Sequence, residues 1–379
     1  MAYMNSRQGK NIGTLSININ APDFNYGAIL HSWAFQHYLT GSGLAAETEI
    51  INYKMPQVEL FNRWLPIRYY FSLGKRRKAL EILKKYRIYG GRLLKFNRFI
   101  RKDLCVSKRK YTTETLNKAK LPYDMLIVES DIVWNCWKNR GFNRAFFLGL
   151  DSMKGKKRIA YTPSMADAEV PEEALPVLKE YLQDLDAVSC RESYEAELIG
   201  KVLQQPVKHL LDPVFLPEAK DYDRITAPRI LEEPYLLIYL PVNDNESLRK
   251  SAQEYAKKNG LKTLEISTKL DHGKTEDCLT LGNAGVEEFL SALRHADMIF
   301  TNSFHAICFA VIFEKQFYAF TRVYQKKVID ICKTFGLEDR YMTDDRLTER
   351  APIDYSAVRA LRDRLQEESR RWLAEQIGK

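Results

Sequence analysis

KNIGTLSININAPDFNYGAILHSWAFQHYLTGSGLAAETEIINY, residues 10–53, carries the reading that decides the fold. Ile12, Leu15, Ile17 and Ile19 mark a short β-prone run that ends at Asn20. A Pro22-Asp23 turn follows, then Asn25-Tyr26-Gly27 and a stretch with Leu30, Trp33, Ala34 and Tyr38 at helical spacing. Gly41 and Gly43 stop that helix, and a second strand is predicted at 49–53. Strand, helix, strand in this order is a βαβ unit, which calls for a parallel sheet and an α/β fold.

The same alternation continues outward. Short apolar runs at 125–130, 158–162 and 187–190 read as further strands, with a helix-rich stretch at 172–185 before the last. The region 211–228 is rich in proline and poor in periodic apolar residues, so a domain boundary is expected there. Beyond it, YLLIYL at 235–240 has the composition of a fully buried strand. Strands at 264–267, 298–301 and 317–321 and a helix near 286–294 complete a second βα array. Val358, Leu361, Leu365 and Trp372 recur at helical spacing, predicting an amphipathic closing helix. The expected organisation is a Rossmann-like domain at 1–210, a second at 211–345, and a C-terminal helix at 346–379. Ligands of such sheets bind beyond the carboxyl ends of the strands, so a central cleft facing both domains is expected.

Composition agrees. With 379 residues, 45% hydrophobic and 12% aromatic, the chain can build two packed cores and is not a disordered or collagen-like protein. The beginning, MAYMNSRQGKNIG, lacks the apolar core of a signal peptide, and no apolar run is long enough to span a bilayer. Six scattered cysteines without a CxxC pair read as reduced thiols of a cytoplasmic protein, with no metal site.

The charge is local. Between positions 63 and 110 stand seventeen Lys or Arg against Glu81 and Asp103, a net +15 within a total of +9, which leaves −6 for the rest. This segment, expected as a basic helical insertion in the first domain, has three readings: a solvated helical face, attraction to an anionic membrane surface, or nucleic-acid binding. Tyr69, Tyr70, Phe71, Tyr86, Tyr89, Phe96 and Phe99 among the cations support the second. The acidic remainder counts against nucleic acid.

Four polar clusters fall at strand ends. Asn25, Tyr26 and Gly27 open a helix, where free N–H groups suit a phosphate or carboxylate, or where Asn25 is simply a cap. Ser130 and Asp131 end a strand and precede Trp134. Asp131 can orient sugar hydroxyls or take a proton while Trp134 stacks on a sugar ring; alternatively Asp131 caps a turn and Trp134 is core. Arg191 can clamp an anion through two parallel bonds or pair internally with Glu192. His305, with Asn302 and Ser303 before it, lies at the first turn of a helix. The positive helix end favours its neutral form, which can accept and return a proton; a satisfied structural histidine is the alternative.

These residues together resemble the polysaccharide pyruvyl transferase family. The likeness runs from about Ile12 to Phe320 through NYGAIL, YDMLIVESDIVWN, RIAYTPS, SCRES, LDPVFL, YLLIYL and TNSFHAICFAVIF before KQFYAF. It implies two Rossmann-like domains arranged as in one large class of glycosyltransferases (the glycosyltransferase-B architecture). It implies transfer of the pyruvyl group of phosphoenolpyruvate onto two hydroxyls of one sugar, with no metal or nucleotide cofactor. Arg191 would clamp the donor, His305 would handle protons, and Asp131 would orient the acceptor, with Asn25, Tyr26, Gly27, Ser130, Trp134, Asn302 and Ser303 lining the site. The acceptor expected is a lipid-linked glycan at the inner face of the cell membrane. Where the family usually reads GSDQ, this chain has Glu129-Ser130-Asp131-Ile132, and Ser303 stands where many members carry Arg. A second donor-binding cation is then expected from Lys269, Arg294 or Arg322. The rival readings are a nucleotide-sugar-dependent glycosyltransferase and a non-catalytic anion- or membrane-binding relative.

Overall fold

The computed structural model describes residues 9–21, 23–59, 61–137, 141–167, 169–242, 246–320, 325–343 and 347–378. The chain divides into two compact units: Met1–Glu59, Ile100–Pro217 and Arg364–Lys379 form the first, Leu60–Phe99 and Glu218–Asp363 the second.

The chain begins with β1 (Lys10–Leu15), α1 (Tyr26–Gly41) and β2 (Ala45–Tyr53). It continues through α2 (Pro66–Ser72), α3 (Arg76–Lys84) and α4 (Tyr86–Asp103) to β3 (Val106–Tyr111), α5 (Thr113–Asn117) and β4 (Met125–Glu129). The first unit is completed by β5 (Lys157–Tyr161), α6 (Leu175–Leu182), β6 (Ala187–Cys190), α7 (Ser193–Leu203) and β7 (Lys208–His209). Its sheet has the order β3-β2-β1-β4-β5-β6-β7, and every pairing is parallel. The direction of winding reverses between β1 and β4, where Leu15 stands opposite Val128. All five residues of β4, MLIVE, are buried, as a central strand covered on both faces requires. Helix α1 likewise has almost no solvent face, since Tyr26 through Gln36 are all buried.

The second unit follows with β8 (Tyr235–Tyr239), α8 (Glu246–Lys258), β9 (Lys262–Ile266), β10 (Gly273–Lys274), β11 (Cys278–Leu281) and α9 (Val286–Arg294). Then come β12 (Met298–Thr301), α10 (Phe304–Ile312), β13 (Gln316–Phe320), α11 (Lys326–Thr334) and β14 (Tyr341–Met342). The sheet order is β10-β11-β9-β8-β12-β13-β14, parallel except for the β10–β11 edge pair. Its reversal lies between β8 and β12, with Thr301 opposite Tyr239.

The final helix, α12 (Tyr355–Gly378), contributes to both units. Near its start the Tyr355 hydroxyl donates to the carbonyls of Ala310 and Lys315, and Arg359 pairs with Glu314 at 2.6 Å. Further along, the Gln366 amide donates to the Phe215 carbonyl at 2.6 Å and the Ser369 hydroxyl accepts from Leu211 N–H. Leu373 and Ile377 then join the core of Ile12, Phe35, Leu39 and Tyr161. Each such burial contributes roughly 2 kcal/mol, so this end of the helix is part of the first core.

The basic stretch departs from the expected insertion in the first domain, because residues 60–99 group with the second unit. Long-range contacts explain this. Lys95 pairs with Glu288 at 2.5 Å, Lys85 with Asp271 at 2.6 Å, and buried Arg92 donates to the Ser267 carbonyl. No helix of the described residues is long and apolar enough to cross a membrane.

Candidate active site

In the first unit the polar residues gather beyond the carboxyl ends of β1, β4, β5 and β6, at the switch point of the sheet. Leaving β4, the backbone enters the left-handed region at two successive residues, Ser130 (φ 42°) and Asp131 (φ 54°). Neither is glycine, and each such residue costs on the order of 1–3 kcal/mol. The neighbours hold the turn in place: Ser130 N–H donates to the Tyr161 carbonyl at 3.0 Å, and the Asp131 carbonyl accepts from Ser164 N–H at 2.8 Å. The Ser16 hydroxyl donates to the Ser130 carbonyl from the end of β1.

Around this turn lies a buried charge network. Arg191, directly after β6, donates through Nε to Glu192 at 2.8 Å and through Nη1 to Asp212 at 3.3 Å. The Ser130 hydroxyl donates to the same Asp212 oxygen at 2.6 Å. Burial works against the Arg191 charge, but Glu192, Asp212 and Asp131 outweigh it and raise its pKa. His31, fully buried on α1, places Nδ1 2.8 Å from Glu129 Oε2 and Nε2 4.0 Å from Asp131 Oδ2. Burial lowers its pKa, while Glu129, Asp212 and Asp131 together raise it by more, so the net shift is upward toward imidazolium. Ser32 donates to the other Glu129 oxygen at 2.7 Å, and Asn18 donates to Ser32. Glu195 extends the network; burial first, then Glu192, push its pKa well above the usual range.

Chemically, this is a buried acidic cluster at the sheet end. Four carboxyl side chains (Glu129, Asp131, Glu192, Asp212) stand against Arg191 and His31, and every one of these side chains is buried. Such a cluster is rich in hydrogen-bond acceptors for sugar hydroxyls and can receive a proton from one. Arg191 meets the internal-pairing reading directly, since its Nε and Nη1 are committed to Glu192 and Asp212, and a donor anion would compete with both.

In the second unit, Thr301 ends β12 and donates to the Tyr239 carbonyl at 2.6 Å. Asn302 is clasped to Val242: its Oδ1 accepts from Val242 N–H and its Nδ2 donates to the Val242 carbonyl. Ser303 caps α10 by accepting from Ala306 N–H at 3.3 Å. His305 thus occupies the second position of a capped helix at the sheet's switch point, nearly buried, with its ring edge-on to Phe304. The N-terminal N–H groups of α10 give this place an affinity for anions.

The sequence candidates therefore fall into three sets. Ser130, Asp131 and Arg191 converge in the first unit; Asn302, Ser303 and His305 converge in the second. Asn25 caps α1, accepting from Ala28 N–H at 3.1 Å, while Tyr26 and Gly27 are buried in its first turn, one turn before His31. Trp134 is a correction: it is wholly buried, donates Nε1–H to the Phe146 carbonyl and stacks on Phe147 at 4.8 Å, so it presents no face to a sugar. Of the cations suggested as a second donor ligand, Arg294 pairs with Asp223 at 2.6 Å, Lys269 is exposed just beyond β9, and Arg322 lies outside the described residues.

Sequence reasoning missed His31 and Asp212. The available signal was in α1 itself, a helix apolar on every side that nevertheless carries His31, Ser32 and Gln36. Polar groups in a helix without a solvent face must find buried partners. Among the described residues no three His, Cys, Asp or Glu side chains are grouped to hold a metal ion.

A family model for polysaccharide pyruvyl transferase matches residues 25–322, from the cap of α1 to just past β13. The chain belongs to this family. The matched span includes every sequence candidate named above and the β8–β12 switch point; of the first sheet's switch point it includes β4, while β1 precedes it. Among solved structures the chain is similar to UDP-GlcNAc 2-epimerase from Methanocaldococcus jannaschii, at 12% identity and a TM-score of 0.53, over 93% of this chain and 91% of that one. UDP-GlcNAc 2-epimerase from Neisseria meningitidis gives 8% identity and 0.48 over 97% and 94%, and E. coli ADP-heptose lps heptosyltransferase II 12% and 0.37 over 97% and 100%. At these identities the likeness concerns the fold alone. No match emerges among curated protein sequences.

Proposed function

We propose that this polysaccharide pyruvyl transferase moves the pyruvyl group of phosphoenolpyruvate onto two hydroxyls of one hexose, forming a cyclic ketal and releasing phosphate. The observation that carries the reading is the family match across 25–322, which spans the acidic cluster of one sheet and the capped histidine helix of the other.

The reaction needs two kinds of group, and each unit taken by itself offers one of them. The donor carries a carboxylate and a phosphate, so it suits the N–H groups at the start of α10, beside His305. The acceptor is neutral and rich in hydroxyls, so it suits the carboxylates around Asp131. In the first step a hydroxyl oxygen bonds to C2 of the donor while C3 gains a proton, and the hydroxyl proton passes to a base. In the second, the C2–O bond to phosphate breaks and the other hydroxyl bonds to C2, its proton leaving with the phosphate. One hydroxyl proton thus ends on C3 and the other on phosphate. His305 serves as the proton donor and acceptor at the donor, and Asp131 accepts from the acceptor hydroxyl. Arg191 positions this base by holding Asp212 and Glu192, which fixes the left-handed turn at Ser130 and Asp131. The acceptor belongs to the glycans of capsule or exopolysaccharide assembly, lipid-linked at the inner membrane face.

Phosphate release from phosphoenolpyruvate, measured with a panel of pyranosides, tests the proposal. His305→Ala and Asp131→Asn should each lower the rate about 10²–10⁴-fold while remaining folded. Wild-type rates in both variants, or consumption of a nucleotide sugar with phosphoenolpyruvate untouched, would contradict it.

A further inference from the structure

The basic stretch has a structure that its charge alone did not specify. Helices α2 and α3 form a hairpin closed by Gly74, whose φ of +69° suits a residue without a side chain. Tyr70, Ala79 and Ile82 turn inward and are buried. The hairpin tip is the opposite: Phe71-Ser72-Leu73-Gly74-Lys75-Arg76-Arg77-Lys78 is exposed at all eight positions. Two apolar side chains therefore stand directly before four consecutive cations. On α3, Leu80 (48% exposed) and Leu83 (56%) continue the apolar surface, flanked by Arg76, Lys84 and Arg87. Lys75, Arg76 and Arg77 form no ion pair with an acid among the described residues. Of the ten large apolar side chains exposed among those residues, eight lie between Trp64 and Leu94, so the apolar exposure and the cationic excess share one segment.

We infer that the α2–α3 hairpin docks this protein on an anionic phospholipid surface. Charge complementarity selects that occupant: a stretch of +15 on a chain otherwise at −6 is drawn to anionic headgroups, and the apolar tip gives it purchase at the acyl boundary. Long Lys and Arg side chains reach back to the headgroup phosphates while their stems follow the leucines inward. Duplex nucleic acid would use the cations but leave Phe71, Leu73, Leu80 and Leu83 unburied. The docking rests on the proposed function only for its purpose, which is to bring the enzyme to a lipid-linked acceptor; binding itself needs no chemistry.

Flotation of the full chain with vesicles tests it, using neutral phosphatidylcholine against the same lipid carrying phosphatidylglycerol. The protein should float with the anionic vesicles and stay behind with the neutral ones, and binding should weaken with salt. Neutralising Lys75, Arg76 and Arg77 to Gln should weaken partitioning roughly fivefold per cation. Phe71→Ser with Leu73→Ser should weaken it without altering the salt dependence. All these positions are exposed, so circular dichroism should be unchanged, as should transfer to a water-soluble acceptor. Equal binding to neutral vesicles, indifference to charge removal, or tighter binding to duplex RNA than to anionic vesicles would overturn the inference, whatever the outcome for pyruvyl transfer.

Discussion

Glu129 stands where the resemblance to the family's GSDQ leads one to expect glycine, and its surroundings show how the chain accommodates a carboxylate there. The left-handed backbone falls at Ser130 and Asp131, so position 129 needs no glycine for its own conformation. Its carboxylate is buried between His31 and Ser32, which makes this substitution and the helix histidine one unit. Removing His31 would leave Glu129 without its cation; His31→Gln should cost about 3–5 kcal/mol in urea unfolding. The cost depends on pH. Because the folded pKa of His31 is raised, its contribution is fully present below about 6.5, the usual histidine value, and is lost as pH rises through the folded value. The stability gap between wild type and variant should therefore be wider at pH 6 than at pH 9; an unchanged gap would remove the imidazolium from the account. Trp134→Ala should cost about 3–5 kcal/mol with KM for the acceptor unchanged in the surviving folded fraction, as befits a core residue. In the sequence, Asp131, Arg191 and His305 stand out because polar residues at the ends of apolar runs are conspicuous. His31 and Asp212 do not, since their partners lie 98 and 21 residues away and pairing is a tertiary fact.

Helices α1 and α10 play equivalent parts in their sheets: each follows the first or second strand of a switch point and each begins with a side-chain cap, Asn25 and Ser303. The Asn25 cap was legible, because Asn before an apolar helical run is a strong start signal, whereas Ser303 was read only as lining the site. Ser303→Ala should lower stability by about 1 kcal/mol in thermal or urea unfolding, and should weaken donor binding more than Asn25→Ala does if α10 receives the donor's anionic groups. The closing helix was legible from its periodicity, though its double role was not. Truncation after Asp363 removes Leu373 and Ile377 from the core containing Ile12, Phe35 and Tyr161. Such a protein should show a lower melting temperature and dye binding to exposed apolar surface, while an unaltered melting curve would deny α12 its place in the first core.

Over the whole molecule, two sheets each wind outward from a central pair of strands, and their inner strands could be read from alternating apolar runs and helical spacing, while the edge strands β3, β7, β10, β11 and β14, short or polar, could not. What could not be read was which sheet the basic helices serve. Residues 60–99 interrupt the first unit in sequence but contact Asp271, Glu288 and Ser267 of the second. Such contacts bridge nearly two hundred residues and leave no periodic trace. One unit carries a cluster dominated by carboxylates and the other a capped helix with His305, and the proposed pyruvyl transfer draws on both kinds of group. The most direct measurement of that claim is mass spectrometry of a hexose-containing acceptor incubated with phosphoenolpyruvate and either wild-type protein or His305→Ala. The account predicts that the wild type makes the acceptor heavier by one pyruvic acid less one water, with one phosphate released per ketal formed, and that the variant adds almost none. Equal product from both proteins, or an acceptor enlarged by a sugar unit in place of a pyruvyl ketal, would contradict it.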